Sequence, residues 1–223
     1  MRVNRMCQIV VLTSLAAVLA AVSARGDGGT VNVTLDTSSL SGTQTLVFGI
    51  ADGDGVVDNS AALSDFNFGG GSAEGPASYV GSGVSGDLSS VINMDDSGFS
   101  ALFEQQINVG SSLSFVLNTT DSFAGGTPDA FAMYLCDATL STCYSDDALS
   151  GAMLILNLTG GAVTPSSFIL NGASDQDLPA PVVGEVTAPE PTSIWLLGFG
   201  LTLLAVMNRT RWSGGAGKQR LRS

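Results

Sequence analysis

The 223-residue chain contains no histidine, and it has no lysine or arginine between Arg25 and Arg209. A Ser-His-Asp triad, a Cys-His dyad, a Schiff-base lysine and an arginine phosphate clamp each need one of these side chains, so the sequence excludes all four from this span. Nucleic-acid binding is not expected either, because phosphate charges are neutralised by basic residues. The absences predict a non-enzymatic body with no nucleic-acid partner.

The charged residues that are present have a segregated distribution. All eight basic residues lie at the two ends of the chain, whereas all twenty carboxylates lie between Arg25 and Arg209, and the net charge is −12. This pattern divides the chain into a basic N-terminal segment, an acidic body and a basic C-terminal segment.

The N-terminal segment has the features of a secretory signal peptide. Arg2 and Arg5 precede an apolar run over residues 9–22, and Val22-Ser23-Ala24 offers small residues at a cleavage site. The run is shorter than the about 20 residues that span a bilayer. We therefore predict a signal peptide at residues 1–24, cleavage after Ala24, and export of the body.

The C-terminal segment has three parts in a fixed order. Pro189-Glu190-Pro191 is followed by an apolar stretch over residues 194–207 and then by Arg209 and Arg211. Proline is excluded from helix interiors, so the first part is expected to be extended. The apolar stretch predicts a short transmembrane helix of about 21 Å. The arginines favour a cytoplasmic location for the basic tail, residues 212–223.

This order of motifs resembles the PEP-CTERM sorting domain, and the resemblance covers residues 189–211. It implies an exosortase as partner and an exopolysaccharide-producing Gram-negative bacterium as source. It also implies anchoring in the inner membrane before processing, and later residence in the cell envelope or in the extracellular exopolysaccharide matrix of a biofilm. The tail continues further than the usual short basic end of the family.

The body, residues 25–177, has the pattern of a single all-β domain, and a linker is expected at residues 178–188. Short runs with alternating apolar residues are separated by Gly-rich turns, which predicts an antiparallel β-sandwich or jelly roll. The runs occupy residues 31–35, 45–50, 63–68, 113–117, 131–135, 153–158 and 167–170. Residues 99–107 differ, because their large apolar side chains fall on one helical face and predict a short helix or turn.

Parts of the body also resemble segments that recur in a group of small PEP-CTERM proteins. These parts are residues 52–58, 63–73 and 125–131. The resemblance implies no activity and no site residues.

Cys136 and Cys143 are the only cysteines that remain after removal of the signal peptide. In an oxidising compartment, such closely spaced cysteines predict an intramolecular disulfide. The alternative is a metal site, but the body has no histidine and no second cysteine pair to complete tetrahedral coordination.

Asp52, Asp54 and Asp58 are the candidate metal ligands, because their spacing resembles the middle of an EF-hand calcium loop. The first and last ligand positions of that loop are occupied by Ile50 and Ala61, which cannot bind calcium through their side chains. We therefore interpret the segment first as a Gly-rich hairpin connection, with calcium binding weakly or not at all. The alternative is a calcium site to which distant carboxylates contribute.

Two further functions remain open as alternatives. One is a carbohydrate-binding module, in which aromatic side chains stack on sugar rings; the candidates are Tyr79, Tyr134 and Tyr144. The other is a glycosidase or lyase that uses only carboxylates, for which the sequence offers the pairs Asp95-Asp96 and Asp146-Asp147. Neighbours on a strand point to opposite faces, so these pairs are expected to serve as turn residues instead.

Overall fold

The structure is a computed structural model that describes residues 28–186. The predicted signal peptide, the motif Pro189-Glu190-Pro191, the predicted transmembrane helix over residues 194–207, and Arg209 and Arg211 lie outside the described residues. Between residues 28 and 186, no helix is long and apolar enough to cross a membrane.

The described residues form twelve β-strands and two short 3-10 helices. In chain order the strands are β1 (Gly28–Asp36), β2 (Thr43–Ala51), β3 (Ser60–Asn67), β4 (Ser72–Val80), β5 (Val84–Ser85), β6 (Ile92–Asp95), β7 (Ser100–Asn108), β8 (Ser112–Thr120), β9 (Asp129–Asp137), β10 (Leu154–Leu158), β11 (Phe168–Leu170) and β12 (Val182–Glu185). The 3-10 helices are Pro165–Ser167 and Ser174–Gln176. All seven predicted β-rich runs overlap strands, and only their end residues 68, 153 and 167 lie outside them.

The strands form two six-stranded antiparallel sheets, which confirms the predicted all-β class and is consistent with a β-sandwich. The first sheet has the order β12-β1-β8-β3-β6-β5, and the second has the order β11-β10-β9-β2-β7-β4. In β8, for example, alternate residues Leu113, Phe115 and Leu117 are buried. The period of two therefore directs one face of the strand toward the core.

Aromatic side chains link the two sheets at the centre of the core. Phe48 of β2 is fully buried, and its ring centroid lies 5.3 Å from that of Phe115 in the opposite sheet. The rings of Phe66, Phe103 and Phe131 lie at 6.1, 6.0 and 6.1 Å from Phe48. These separations are typical of favourable aromatic pairs, so Phe48 stabilises both sheets.

The predicted disulfide between Cys136 and Cys143 is confirmed. Cys136 is buried near the end of β9, and the chain then turns back so that the two cysteines also form an isolated β-bridge. The disulfide closes a short loop at that end of the strand.

The prediction of a helix or turn over residues 99–107 is wrong. This segment is β7, which pairs with β2 on one side and β4 on the other. Ala101, Phe103 and Ile107 are buried in alternation with more exposed residues. Pairing on both sides satisfies the backbone donors and acceptors of the segment, and this outweighs its helical spacing.

Residues 178–186, the described part of the predicted linker 178–188, contribute to the sandwich. Leu178 is buried, and β12 adds to the first sheet with Val31 opposite Glu185. The sheet therefore continues as far as Glu185, because β12 pairs with backbone groups of β1 that would otherwise form the sheet edge.

Candidate functional site

The candidate ligands Asp52, Asp54 and Asp58 lie in the connection between β2 and β3. These strands belong to different sheets, so the connection crosses one end of the sandwich. The predicted hairpin is therefore wrong, because a hairpin joins neighbouring strands of one sheet. The predicted turn chemistry is present nevertheless: Asp52 Oδ1 accepts a hydrogen bond of 2.6 Å from the Gly55 amide, and Asp54 Oδ1 accepts one of 2.8 Å from the Val56 amide.

Two glycines allow the connection to follow its path. Gly55 has a φ of 83°, a conformation that other residues adopt only at a cost. At Gly53, a Cβ atom would collide with the backbone carbonyl of Pro128. The absence of side chains here lets the connection approach the segment that leads into β9.

Two carboxylates that are distant in the sequence lie beside the β2–β3 connection. Asp96 directly follows β6, Asp129 is the first residue of β9, and each is only 1% exposed. One carboxylate oxygen from each of Asp58, Asp96 and Asp129 lies within 4.8 Å of the other two. Asp129 forms a second group of the same kind with Asp52 and Asp54. We refer to these five residues as the carboxylate cluster.

The cluster carboxylates are held in place by hydrogen bonds. Asp129 Oδ1 accepts a hydrogen bond of 2.7 Å from the Gly53 amide. Its Oδ2 accepts another, also of 2.7 Å, from the side-chain amide of Asn59. Asp96 Oδ2 accepts from the backbone amides of Asn59 at 2.9 Å and Asp58 at 3.2 Å. Asp96 Oδ1 is buried and receives no hydrogen bond. This unsatisfied oxygen is the most unusual polar feature of the cluster.

Asn59 organises the cluster from its centre. It is 2% exposed, and its Nδ2 lies 2.7 Å from Asp129 Oδ2, 2.9 Å from the Ser122 carbonyl oxygen and 3.0 Å from Asp58 Oδ1. Its Oδ1 accepts from the Ser122 amide at 2.8 Å. An amide group has only two protons, so these three acceptors share them.

The surroundings shift the pKa values of three cluster carboxyls in different directions. Burial raises the pKa of Asp96, and the nearby Asp129 carboxylate adds to this, while the amides of Asn59 and Asp58 oppose it. Burial also acts to raise the pKa of Asp129, but hydrogen bonds from Asn59 and Gly53 outweigh it, so the pKa of Asp129 is lowered. The pKa of Asp58 is raised, first by burial and then by the charge of Asp54. The environment thus favours ionised Asp129 and disfavours ionised Asp96.

The members of each carboxylate pair considered for glycoside hydrolysis have different partners in the structure. The acidic neighbours of Asp96 in the cluster are Asp58 and Asp129, whereas Asp95 accepts a hydrogen bond of 3.0 Å from the Ser97 amide. Asp146 accepts from the Ser174 amide at 2.9 Å, and Asp147 accepts from the Leu149 amide at 3.1 Å. Asp95 and Asp147 thus hold local turns, and Asp146 binds a distant segment of the chain, whereas the buried Asp96 and Asp129 offer no surface to a sugar ring.

The three tyrosines considered for sugar stacking do not form one platform. Tyr79 lies opposite the buried Phe103 in the β4–β7 register, with the ring centroids 6.2 Å apart. Tyr134 alternates with buried residues of β9 and therefore lies on the outer face of the same sheet. The hydroxyl of Tyr144 donates to Gln44 Oε1 at 2.8 Å.

A groove elsewhere on the sandwich offers a different aromatic surface. It has a volume of about 770 Å³ and is lined by half-buried Phe66 and Phe68, by the exposed side chain of Ser89, and by Asp65. The two phenyl rings are nearly parallel, with an interplanar angle of 9° and centroids 6.4 Å apart. The groove thus combines an apolar surface with polar groups at its margin.

Sequence reasoning missed Asp96 as a partner of Asp129, and it missed Asn59 and Asp129 altogether. The available signal was weak: Asp96 follows an apolar run that contains Met94, and Asp129 precedes one that begins at Phe131. Carboxylates at the ends of buried strands can meet only if those ends share one side of the sandwich, which the sequence does not reveal.

Comparisons of the chain with protein-family models, curated proteins and solved structures find no match.

Proposed function

We propose that this chain is an exported, non-enzymatic β-sandwich protein of the cell envelope or exopolysaccharide matrix, sorted by an exosortase. The observation that carries the proposal is the order of Pro189-Glu190-Pro191, the apolar residues 194–207, and Arg209 with Arg211. The motif supplies an extended site for an enzyme, the apolar stretch is a short anchor, and the arginines retain the tail in the cytoplasm.

Two properties of the body support this proposal. The Cys136–Cys143 disulfide is of the kind that persists in oxidising compartments outside the cytoplasm. The body carries acidic but no basic side chains between Arg25 and Arg209, and a large net charge of one sign favours solubility. A structural role is preferred to a catalytic one because the usual nucleophile and base combinations require the missing residue types.

The sorting step is tested by replacing Glu190 with alanine in a host that possesses an exosortase. The wild-type chain is expected to accumulate as a shorter form that lacks the basic tail, and the E190A chain as a membrane-held precursor. An antibody to the body and a gel of fractionated cells measure both forms. Glu185→Ala is the matched control, because it removes an exposed carboxylate just upstream and leaves the motif intact. Identical sizes and distributions for wild type and E190A would refute sorting.

The membrane orientation is tested separately. Protease added to intact spheroplasts is expected to digest the body of the precursor and to spare the tail, residues 212–223, because the arginines favour a cytoplasmic tail. Protection of the body with cleavage of the tail would refute the orientation without bearing on the identity of the processing enzyme.

A second candidate function is carbohydrate binding, and the groove at Phe66 and Phe68 favours it. Aromatic faces beside polar groups are the common composition of small-ligand sites. Native gels that contain the host exopolysaccharide should retard the wild-type chain but not Phe68→Ala. Phe99→Ala serves as the control, because Phe99 is exposed and does not line the groove. Equal mobility of wild type and Phe68→Ala would remove this candidate.

A further inference from the structure

We propose that the carboxylate cluster binds a calcium ion, with Asp58, Asp96 and Asp129 as its principal ligands. The proposal does not depend on sorting or on the location of the protein. It changes the expectation drawn from the sequence, because Asp96 and Asp129 supply the distant carboxylates that the segment from Asp52 to Asp58 lacks.

The first argument is the cost of the buried charges. Asp96 and Asp129 are each 1% exposed, and an oxygen of each lies within 4.8 Å of the other. Burying an ionised carboxylate costs several kcal/mol unless an opposite charge offsets it. The chain has no lysine, arginine or histidine between Arg25 and Arg209, so no side chain of the sandwich can offset it. A cation from solution would supply the missing charge; the alternative is a proton shared between Asp96 and Asp129, and only the cation makes stability depend on calcium.

The second argument is the free coordination capacity at the cluster. Asp96 Oδ1 is buried and accepts no hydrogen bond, although Oδ2 of the same side chain is fixed by two backbone amides. Buried polar atoms in folded proteins nearly always have a partner, so an orphan oxygen calls for an explanation. A cation bound at the cluster would be its partner, and the two amides would fix the orientation of the carboxylate.

The third argument is the preparation of the other ligands. Hydrogen bonds from Gly53 and Asn59 orient both oxygens of Asp129 and leave each with lone-pair capacity for a metal. Donors of this kind around a ligand tune metal affinity. Asp52 and Asp54, which are only half-buried, stand beside Asp129 and add negative charge on the more open side of the cluster.

The chemistry of the ligands selects calcium. The cluster offers only oxygen atoms, which excludes the nitrogen and sulfur ligands that zinc and copper prefer. Magnesium needs a nearly ideal octahedron and usually retains several waters, whereas calcium accepts six to eight oxygens in irregular arrangements. The ligands here come from the β2–β3 connection and from the ends of β6 and β9, and two of them are almost inaccessible to water. This irregular arrangement matches the coordination of calcium better than that of magnesium.

The test measures thermal unfolding of the full-length chain by circular dichroism in EDTA, in calcium and in magnesium, at constant ionic strength. Calcium at about a hundredfold excess over its Kd should raise Tm by about 5–10 °C relative to EDTA. Asp96→Asn should abolish the calcium shift while retaining or increasing Tm in EDTA, because it removes a buried charge. Asp95→Asn is the matched control and should keep the full shift, since Asp95 belongs to neither carboxylate group.

Each other outcome overturns the proposal. The absence of a calcium shift in the wild-type chain, or its persistence in Asp96→Asn, would exclude the cluster as a calcium site. An equal shift with magnesium would overturn the assignment of calcium. If Asp96→Asn does not fold, equilibrium dialysis of the unmodified chain with radioactive calcium decides the question: about one bound ion per chain supports the site, and none refutes it.

Discussion

The side-chain amide of Asn59 donates a hydrogen bond of 2.7 Å to Oδ2 of Asp129, seventy residues further along the chain. Asn59 directly precedes β3 in the first sheet, and Asp129 begins β9 in the second. The bond therefore joins the two sheets at the end that carries the carboxylate cluster. Because both residues are buried, it is shielded from competition by water.

Replacing Asn59 with alanine is expected to lower the free energy of unfolding by about 2–4 kcal/mol, because it leaves several buried polar groups without partners. Urea unfolding followed by circular dichroism provides the measurement. Asn32→Ala, at an exposed asparagine of β1, should change stability by no more than about 0.5 kcal/mol. Equal losses for the two variants would show that the Asn59 network contributes nothing specific.

Replacing Phe48 with alanine should cost about 3–5 kcal/mol, because it leaves a cavity between four other phenyl rings in the centre of the sandwich. Phe99, by contrast, is 86% exposed. Phe99→Ala should therefore leave stability within about 0.5 kcal/mol of wild type. A loss below about 1 kcal/mol for Phe48→Ala would contradict the central position assigned to its ring.

Removing the disulfide by changing Cys136 and Cys143 together to serine should lower stability by about 2.5 kcal/mol on the chain-entropy estimate for so short a loop. Reductant should destabilise the wild-type chain by a similar amount and should not affect the double variant. A response of the double variant to reductant would mean that the effect comes from elsewhere.

The carboxyl of Asp137 should make the turn inside the disulfide loop sensitive to acid. Hydrogen bonds from the side chain of Thr139 and from the Ser141 amide lower its pKa. The stabilisation from this group is therefore complete above the unfolded value of about 3.9, and it is lost as pH falls through the lower folded pKa.

Carbon-13 NMR titration of the carboxyl groups tests this assignment. Thr139→Ala should move the pKa of Asp137 back toward its ordinary value, since it removes a donor at 2.7 Å. The pKa of Asp87, lowered mainly by Ser89 in another turn, is the internal control and should stay unchanged. A parallel shift at both groups would point to a general effect of the substitution.

The sequence correctly predicted strands in several runs where burial follows a period of two and large apolar residues are frequent, as in β8 and β9. It missed β4, where Gly75 and Pro76 interrupt the pattern and every residue except Ala73 and Ala77 is exposed. The prediction for β7 was wrong because Phe103 and Ile107 are four residues apart. At that spacing, two side chains lie on the same face of a helix and also on the same face of a strand. Pairing with β2 and β4 resolved that ambiguity, and local periodicity could not.

Only part of the candidate site could be predicted from the sequence, for a related reason. Asp52, Asp54 and Asp58 are close along the chain, so their spacing could be compared with a known loop. Asp96 and Asp129 approach them because β6 and β9 place their ends at the same side of the sandwich, which depends on strand order. Strand order is set by contacts between distant segments, and no local pattern specifies it.

The pairing of β1 with β12 determines when the domain can finish folding. Val31, near the start of the first strand, lies opposite Glu185, near the end of the last. A ribosome completes β12 after every other strand of the sandwich. Until then, β1 presents an unpaired edge that could join the edge of another molecule. Contacts between such distant residues also slow folding, so the edge of β1 stays open to self-association until the last strand has paired.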